Sequence, residues 1–181
     1  MLVVDDFLDA PMFEKVKTLF LGSNGEGPTY MYGITPVIEE VKELHSEDGM
    51  QFTTPSDADF TEFINTGFLQ KIGLFSVQRF KCNITLKGEK IIEHGFHTDM
   101  DTEDIGHLHP KSAVFYLNTC DGYTAFRDGQ KIESVANRYV EFDTHLQHTG
   151  TNTTNAPFRA VLNMNFIPKN KFPRAGTKRF E

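Results

Sequence analysis

Two imidazoles, a carboxylate and a guanidinium carry the chemistry this sequence offers. His97 and Asp99 flank Thr98, and residues two apart on a β-strand point to the same face, so an imidazole and a carboxylate can stand side by side there. His148 follows the strand-like run Arg138-Tyr139-Val140-Glu141-Phe142 and can supply a second imidazole. Two histidines and one carboxylate on one side of a metal suit non-haem Fe(II) and leave coordination positions open. Arg159 lies in a later strand-like run, where a fixed cation can hold the far carboxylate of a metal-chelating 2-oxo acid.

Other residues compete for these roles. A His-X-Asp triplet arises by chance in many chains, and seven histidines are present. Strand alternation points His94, three residues before His97, to the opposite face, which gives it a structural or supporting role. His107 and His109 lie in a polar, loop-like stretch. His145 and His148 share the segment Thr144-His145-Leu146-Gln147-His148, and spacing alone does not choose between them. Arg159, Val161, Asn163 and Asn165 share one face of their strand, while Phe158, Ala160, Leu162, Met164 and Phe166 occupy the other, which must be buried. An arginine on the partly apolar face of a central strand is costly without an anion, and a bidentate carboxylate is its natural partner.

The elements that must position these groups fall into two halves. Leu2-Val3-Val4 reads as a short strand, and Asp9 or Ala10 opens a helix with Pro11 in its first turn and an apolar face of Phe13, Val16, Leu19 and Phe20. Thr35-Pro36 reads as an N-cap and first helical residue, with Val37, Ile38, Val41 and Leu44 as the buried stripe. A third helix is expected from about Ser56 to Asn65, with Phe60, Phe63 and Ile64 inward and Gly67 just past its end. From Phe75 onward the period becomes two: Phe80, Cys82, Ile84 and Leu86 alternate with Arg79, Lys81, Asn83 and Thr85. Further strands are expected over 91–97, 112–118, 123–127, 131–135, 138–142 and 158–167, with Asp128-Gly129 as a hairpin signal. Helices first and many short strands after give an α+β class: a double-stranded β-helix, or jelly roll, with the N-terminal helices packed on one outer face. Strands of such a fold converge on one mouth, where ligand sites form. The loop from Met100 to Pro110, directly after Asp99, is the candidate lid.

Length bounds the rest. The 181 residues fit one domain, 1–181, with enough chain for a real core. Seventeen Phe and no Trp, spread along the sequence, are ordinary for a globular protein. No run approaches a membrane span, and Met1 to Asp6 lacks a basic leader pattern. Cys82 and Cys120 have no metal spacing and are expected as reduced strand residues, which with the missing leader suggests a cytoplasmic protein. A net charge of −7 argues against a general affinity for nucleic acid. The basic cluster Lys169, Lys171, Arg174, Lys178 and Arg179 near the C-terminus reads as a solvated tail.

Most of the chain also resembles the 2-oxoglutarate/Fe(II)-dependent oxygenases, in their prolyl-4-hydroxylase-like branch. Val3-Val4-Asp5-Asp6-Phe7-Leu8-Asp9 resembles the opening segment of that branch, and Glu93-His94-Gly95-Phe96-His97-Thr98-Asp99 its His-X-Asp strand. Ala113-Val114-Phe115-Tyr116-Leu117-Asn118 is similar to its Tyr-Leu-Asn strand. Gly122-Tyr123-Thr124-Ala125-Phe126 is similar to its Gly-Gly-X-Thr-X-Phe strand, with Tyr123 in place of the second glycine. Phe142-Asp143-Thr144-His145-Leu146-Gln147-His148 resembles its Phe-Pro-Ser-Trp-Leu-X-His segment, which puts His148 at the ligand position. The resemblance implies Fe(II) held by His97, Asp99 and His148. It implies 2-oxoglutarate anchored through its C5 carboxylate by Arg159, with Tyr116 as a second contact and Asn83, Thr85 or Asn118 toward the C1 end. O₂ is the further co-substrate, and ascorbate joins the assay. The implied reaction is hydroxylation of an unactivated C–H bond of a prolyl or other peptide, protein or small-molecule substrate, releasing succinate and CO₂. A related halogenase subgroup has a small residue at the carboxylate position; Asp99 is present, which favours hydroxylation. The alternatives are a cupin-type metal enzyme without a 2-oxo acid, or a non-catalytic jelly-roll binding protein.

Overall fold

The backbone follows the change of period seen in the sequence. The computed structural model describes residues 1–23, 33–36, 50–54, 63–64, 66–100 and 109–169. After the strand β1 (Leu2–Val4), the helix α1 (Ala10–Leu21) starts where Asp9 caps it, the carboxylate accepting from the Met12 N–H at 2.9 Å, with proline in the first turn. A second helix, α2 (Phe68–Ile72), sits between Gly67 and Gly73, both at positive φ. Residues 63–64 are also helical, and the other elements among the described residues are strands: β2 (Gly33–Pro36), β3 (Met50–Thr54), β4 (Leu74–Leu86), β5 (Lys111–Tyr116), β6 (Tyr123–Phe126), β7 (Lys131–Glu133), β8 (Tyr139–Asp143), β9 (His148–Gly150) and β10 (Phe158–Pro168).

These strands form two antiparallel sheets, the larger in the order β1-β8-β5-β10-β4-β3-β2 and the smaller in the order β7-β6-β9. The result is the expected α+β jelly roll. Long β10 is central, pairing β4 on one side and β5 on the other, and its alternation sorts the two faces. Ala160, Leu162, Met164 and Phe166 face Val16, Phe20, Phe68 and Leu69 of the helices, together with Cys82, Ile84, Ala113 and Phe115. The helices thus cover one outer face. Val161 points the other way and joins Val114, Tyr116, Phe126, Ile132, Val140 and Phe142 in a second apolar cluster involving both sheets. Edge-to-face contacts of Phe115 with Phe68 and Phe13 lock the helical layer to β5.

The N-terminal segment is stapled to the turn before β8. Asn137, in the left-handed region at φ 66°, accepts from the Leu8 N–H through its side-chain oxygen at 2.9 Å and donates to the Leu8 carbonyl at 2.8 Å. Arg138 pairs with both oxygens of Asp5.

Several expectations are corrected. Thr35 and Pro36 lie in β2, not at a helix start; proline has no N–H to offer a ladder, and β2 is a sheet edge, where that is tolerated. Ile64 is partly exposed, although Phe63 is buried as expected. The segment 91–97 is no regular strand: Gly95 takes φ 101°, and only Glu93 and His97 form isolated bridges, to Thr151 and His148. Cys120 lies between β5 and β6 rather than in a strand; both cysteines are buried and neither forms a disulfide. Asp128-Gly129 does turn the chain from β6 to β7, with Gly129 at φ 93°. The expected helical stripe 37–44, Phe60 and the greater part of the candidate lid fall outside the described residues. No described helix is long and apolar enough to cross a membrane.

Candidate metal centre

A cavity of 470 Å³ lies on the inner face of the large sheet. Its floor is alternation made visible: Arg79, Lys81, Asn83 and Thr85 from β4, Arg159, Val161 and Asn163 from β10, and Val114 from β5. Thr124 of β6, His148 and Gly150 of β9, and the segment from His94 to Asp99 close it.

One end holds His97, Asp99 and His148, whose ligating atoms lie within 4.8 Å of one another. The backbone brings the two histidines together. The His97 N–H donates to the His148 carbonyl at 2.9 Å, and the His148 N–H returns a bond to the His97 carbonyl at 3.0 Å. Residues so paired across an antiparallel bridge project side chains to the same face, and the two ring centroids are 4.7 Å apart. Asp99, two residues on, comes to the same side. One of its oxygens is 3.6 Å from His148 Nε2 and the other 4.0 Å from His97 Nε2.

The donor chemistry fits a divalent metal. His148 Nδ1 is 2.9 Å from the Leu146 carbonyl and His97 Nδ1 is 3.3 Å from the Gly95 carbonyl. A Nδ1–H given to a carbonyl leaves Nε2 as a lone-pair donor, the arrangement metal-binding histidines use. Asp99 has a fully buried side chain, and its Oδ2 has no hydrogen-bond partner among the described residues. Such an orphaned acceptor calls for a cation. Burial, then the neighbouring His148, hold the pKa of His97 below its ordinary value, against the pull of Asp99, which favours the neutral imidazole a metal needs. Arg79 reaches the Asp99 carbonyl at 3.4 Å, and the Asn163 amide reaches Oδ1 at 3.5 Å.

The other end holds Arg159, which is only 4% exposed. Its Nε donates to Ser134 Oγ at 2.7 Å, one terminal nitrogen to Thr124 Oγ1 at 3.0 Å and the other to the Thr151 carbonyl at 3.4 Å. The guanidinium lies 5.5 Å from the centre of the Tyr116 ring. These partners are neutral: among the described residues no carboxylate lies within ion-pair distance of Arg159. Burial pulls its pKa down, but a guanidinium stays charged. A buried cation held only by neutral acceptors is one that an anionic ligand would neutralise. Gly122 and Gly150 make room for it: a Cβ at Gly122 would stand 2.6 Å from Arg159 Cδ and 2.4 Å from the Asn152 carbonyl.

His97, Asp99, His148 and Arg159 therefore share one cavity, and His145 is exposed outside it. Asn83 and Thr85 also line it. Tyr116 and Asn118 are not on its wall. Tyr116 is fully buried, with its hydroxyl on Thr124 Oγ1 at 2.8 Å, and Asn118 spends its amide on the Phe158 carbonyl and the Ala160 N–H. His94, expected on the opposite face, lines the cavity, because Gly95 resets the alternation. Thr124 and Ser134, which orient Arg159, had no signal as a pair; only the hairpin between them places both beneath the guanidinium.

No protein-family model matches the sequence, and no curated protein does. Solved structures do match in shape. An oxidoreductase of the 2OG-Fe(II) oxygenase family from Burkholderia pseudomallei aligns with 92% of this chain and 84% of its own, at TM-score 0.62 and 13% identity. A prolyl-4-hydroxylase from Pseudomonas putida aligns with 93% of this chain and 92% of its own, at TM-score 0.55 and 18% identity. HygX from Streptomyces hygroscopicus, solved with nickel and 2-oxoglutarate bound, aligns with 93% of this chain and 82% of its own, at TM-score 0.57 and 10% identity. At these identities the likeness is one of fold. Fold and site define a jelly-roll protein with a two-histidine, one-carboxylate cluster facing a buried arginine.

Proposed function

We propose that the chain, as one domain over residues 1–181, is a non-haem Fe(II)- and 2-oxoglutarate-dependent dioxygenase that hydroxylates a C–H bond. The observation that carries this reading is a single cavity with His97, Asp99 and His148 at one end and the unneutralised Arg159 guanidinium at the other. The sequence resemblance and the shared fold support it, and the nickel and 2-oxoglutarate of HygX suit such a cavity.

His97 Nε2, His148 Nε2 and Asp99 would hold the iron from one side, leaving the opposite side open to the co-substrate and O₂. When bound, iron and 2-oxoglutarate supply the oxidising power, with succinate and CO₂ as by-products. The chain supplies position. Arg159 would hold the C5 carboxylate, the guanidinium itself kept in orientation by Ser134 and the Thr151 carbonyl. Thr124 Oγ1 already accepts from both Tyr116 and Arg159, so its own hydrogen is free to point at the same carboxylate. Asn163 would keep the Asp99 carboxylate from rotating, and Arg79 would steady its backbone carbonyl. Arg159 has no evident use in a cupin-type enzyme that takes no 2-oxo acid. A prolyl or other peptide residue is the substrate class the resemblance favours, with small molecules as the alternative.

Purified protein given Fe(II), ascorbate and 2-oxoglutarate should release succinate, and His97→Ala or Asp99→Ala should abolish both release and tight metal binding. Arg159→Ala should raise the 2-oxoglutarate requirement at least about tenfold, the loss expected for a charge-assisted contact, while metal affinity stays nearly intact. Equal loss of metal binding in Arg159→Ala would refute the assigned roles.

A further inference from the structure

His94 is buried, 8% exposed, and lines the cavity without belonging to the metal cluster. Both its ring nitrogens are shielded, from the cavity as from solvent, and neither has a hydrogen-bond partner among the described residues. A ligand oxygen reaches one of them once the ring turns toward the cavity it lines. A buried imidazole carries at least one N–H, and leaving it unpaired is costly, so its position implies a ligand that accepts from it. Its place within the cavity is set by backbone: the His94 N–H donates to the Gly150 carbonyl at 3.2 Å, and Gly150 is the glycine whose Cβ would stand 3.3 Å from an Arg159 terminal nitrogen. His94 therefore belongs to the arginine end.

We propose that His94 is a second anchor for the far carboxylate of the co-substrate, its imidazole N–H donating to the oxygen beside the one Arg159 holds. The assignment rests on the 2-oxoglutarate reading above and adds a residue to it. Burial, then the charge of Arg159, hold the His94 pKa down to about 4, so the ring is a neutral donor at ordinary pH and does not repel the guanidinium beside it. One charged and one neutral donor at the same end select for a carboxylate at that distance from the metal. A 2-oxo acid without it can still chelate the ion, but leaves both donors unanswered.

The test uses the full chain loaded with Mn(II) under anaerobic conditions, titrated calorimetrically with 2-oxoglutarate and, separately, with pyruvate, which has the chelating end and no far carboxylate. His94→Phe should weaken 2-oxoglutarate binding roughly ten- to hundredfold and leave pyruvate binding unchanged. His94→Gln, which keeps a donor, should recover a large part of the loss. Equal weakening of both acids, or no change in either, would overturn the proposal. Should His94→Phe fail to fold, His94→Ala decides through the same ratio of 2-oxoglutarate to pyruvate affinity: a fall of about tenfold or more in Ala that His94→Gln largely restores supports the anchor, and an unchanged preference among His94→Gln, His94→Ala and the parent overturns it. Failure of the parent chain to bind either acid with metal present would refute the dioxygenase reading itself, a different result.

Discussion

A single buried imidazole sets a measurable pH dependence. His94 has an ordinary pKa of 6.5 that burial and the Arg159 charge lower to about 4 in the folded protein. As pH falls below 6.5 the unfolded chain takes up a proton at this residue that the folded chain refuses until about pH 4. The folded state is therefore favoured less across that window, by up to about 3 kcal/mol, and the difference vanishes above it. His97, also depressed, acts in the same direction. Metal-free protein should lose urea resistance between pH 6.5 and 4, and His94→Gln should flatten that fall. A parent chain whose midpoint is level across this window would show that the imidazole is not desolvated as described. At this scale the sequence already pointed to His97, Asp99 and Arg159 as neighbours in space, because types and alternation put each on the face that lines the cavity. It did not choose His148 over His145 without the resemblance: both lie in one short polar run, and what separates them is the bridge His148 makes to His97.

Elements decide what alternation cannot. The two faces of β10 and β4 were legible residue by residue, since one face packs on helices and the other lines a cavity, and each strand keeps strict period two across the site. The segment 91–97 was not, because one glycine at φ 101° turns the chain and brings His94 to the side where His97 already points. β9 was missed for another reason: His148-Thr149-Gly150 is too short and polar to carry a pattern, and pairing with β6 alone makes it a strand. Tyr116 and Asn118 lie on the expected strand run but off the cavity wall, one beneath Thr124 and the other hydrogen-bonded to the start of β10. The turn into β6 offers a sharp test. Gly122→Ala would press a methyl against Arg159 Cδ and the Asn152 carbonyl. That crowding should cost about 1–3 kcal/mol of stability and weaken 2-oxoglutarate binding by displacing the guanidinium. Metal affinity, measured by titration, should hardly move, because His97, Asp99 and His148 lie at the far end.

For the whole molecule, a chain of net charge −7 encloses a cavity whose described lining has Arg79, Lys81 and Arg159 against the one carboxylate of Asp99. Such a contrast favours small anions within the cavity, and 2-oxoglutarate affinity should fall as ionic strength rises. The His97–His148 bridge has a further consequence. It is isolated, with no continuous ladder on either side to share its load, so the strip carrying His97 and Asp99 hangs on β9 by few contacts. An ion gripped by both histidines would act as a rivet through that weak seam. In deuterated buffer the amides of His97 and His148 should exchange readily from the bare protein, slow sharply once Mn(II) or Zn(II) is added, and speed up again when a chelator strips it.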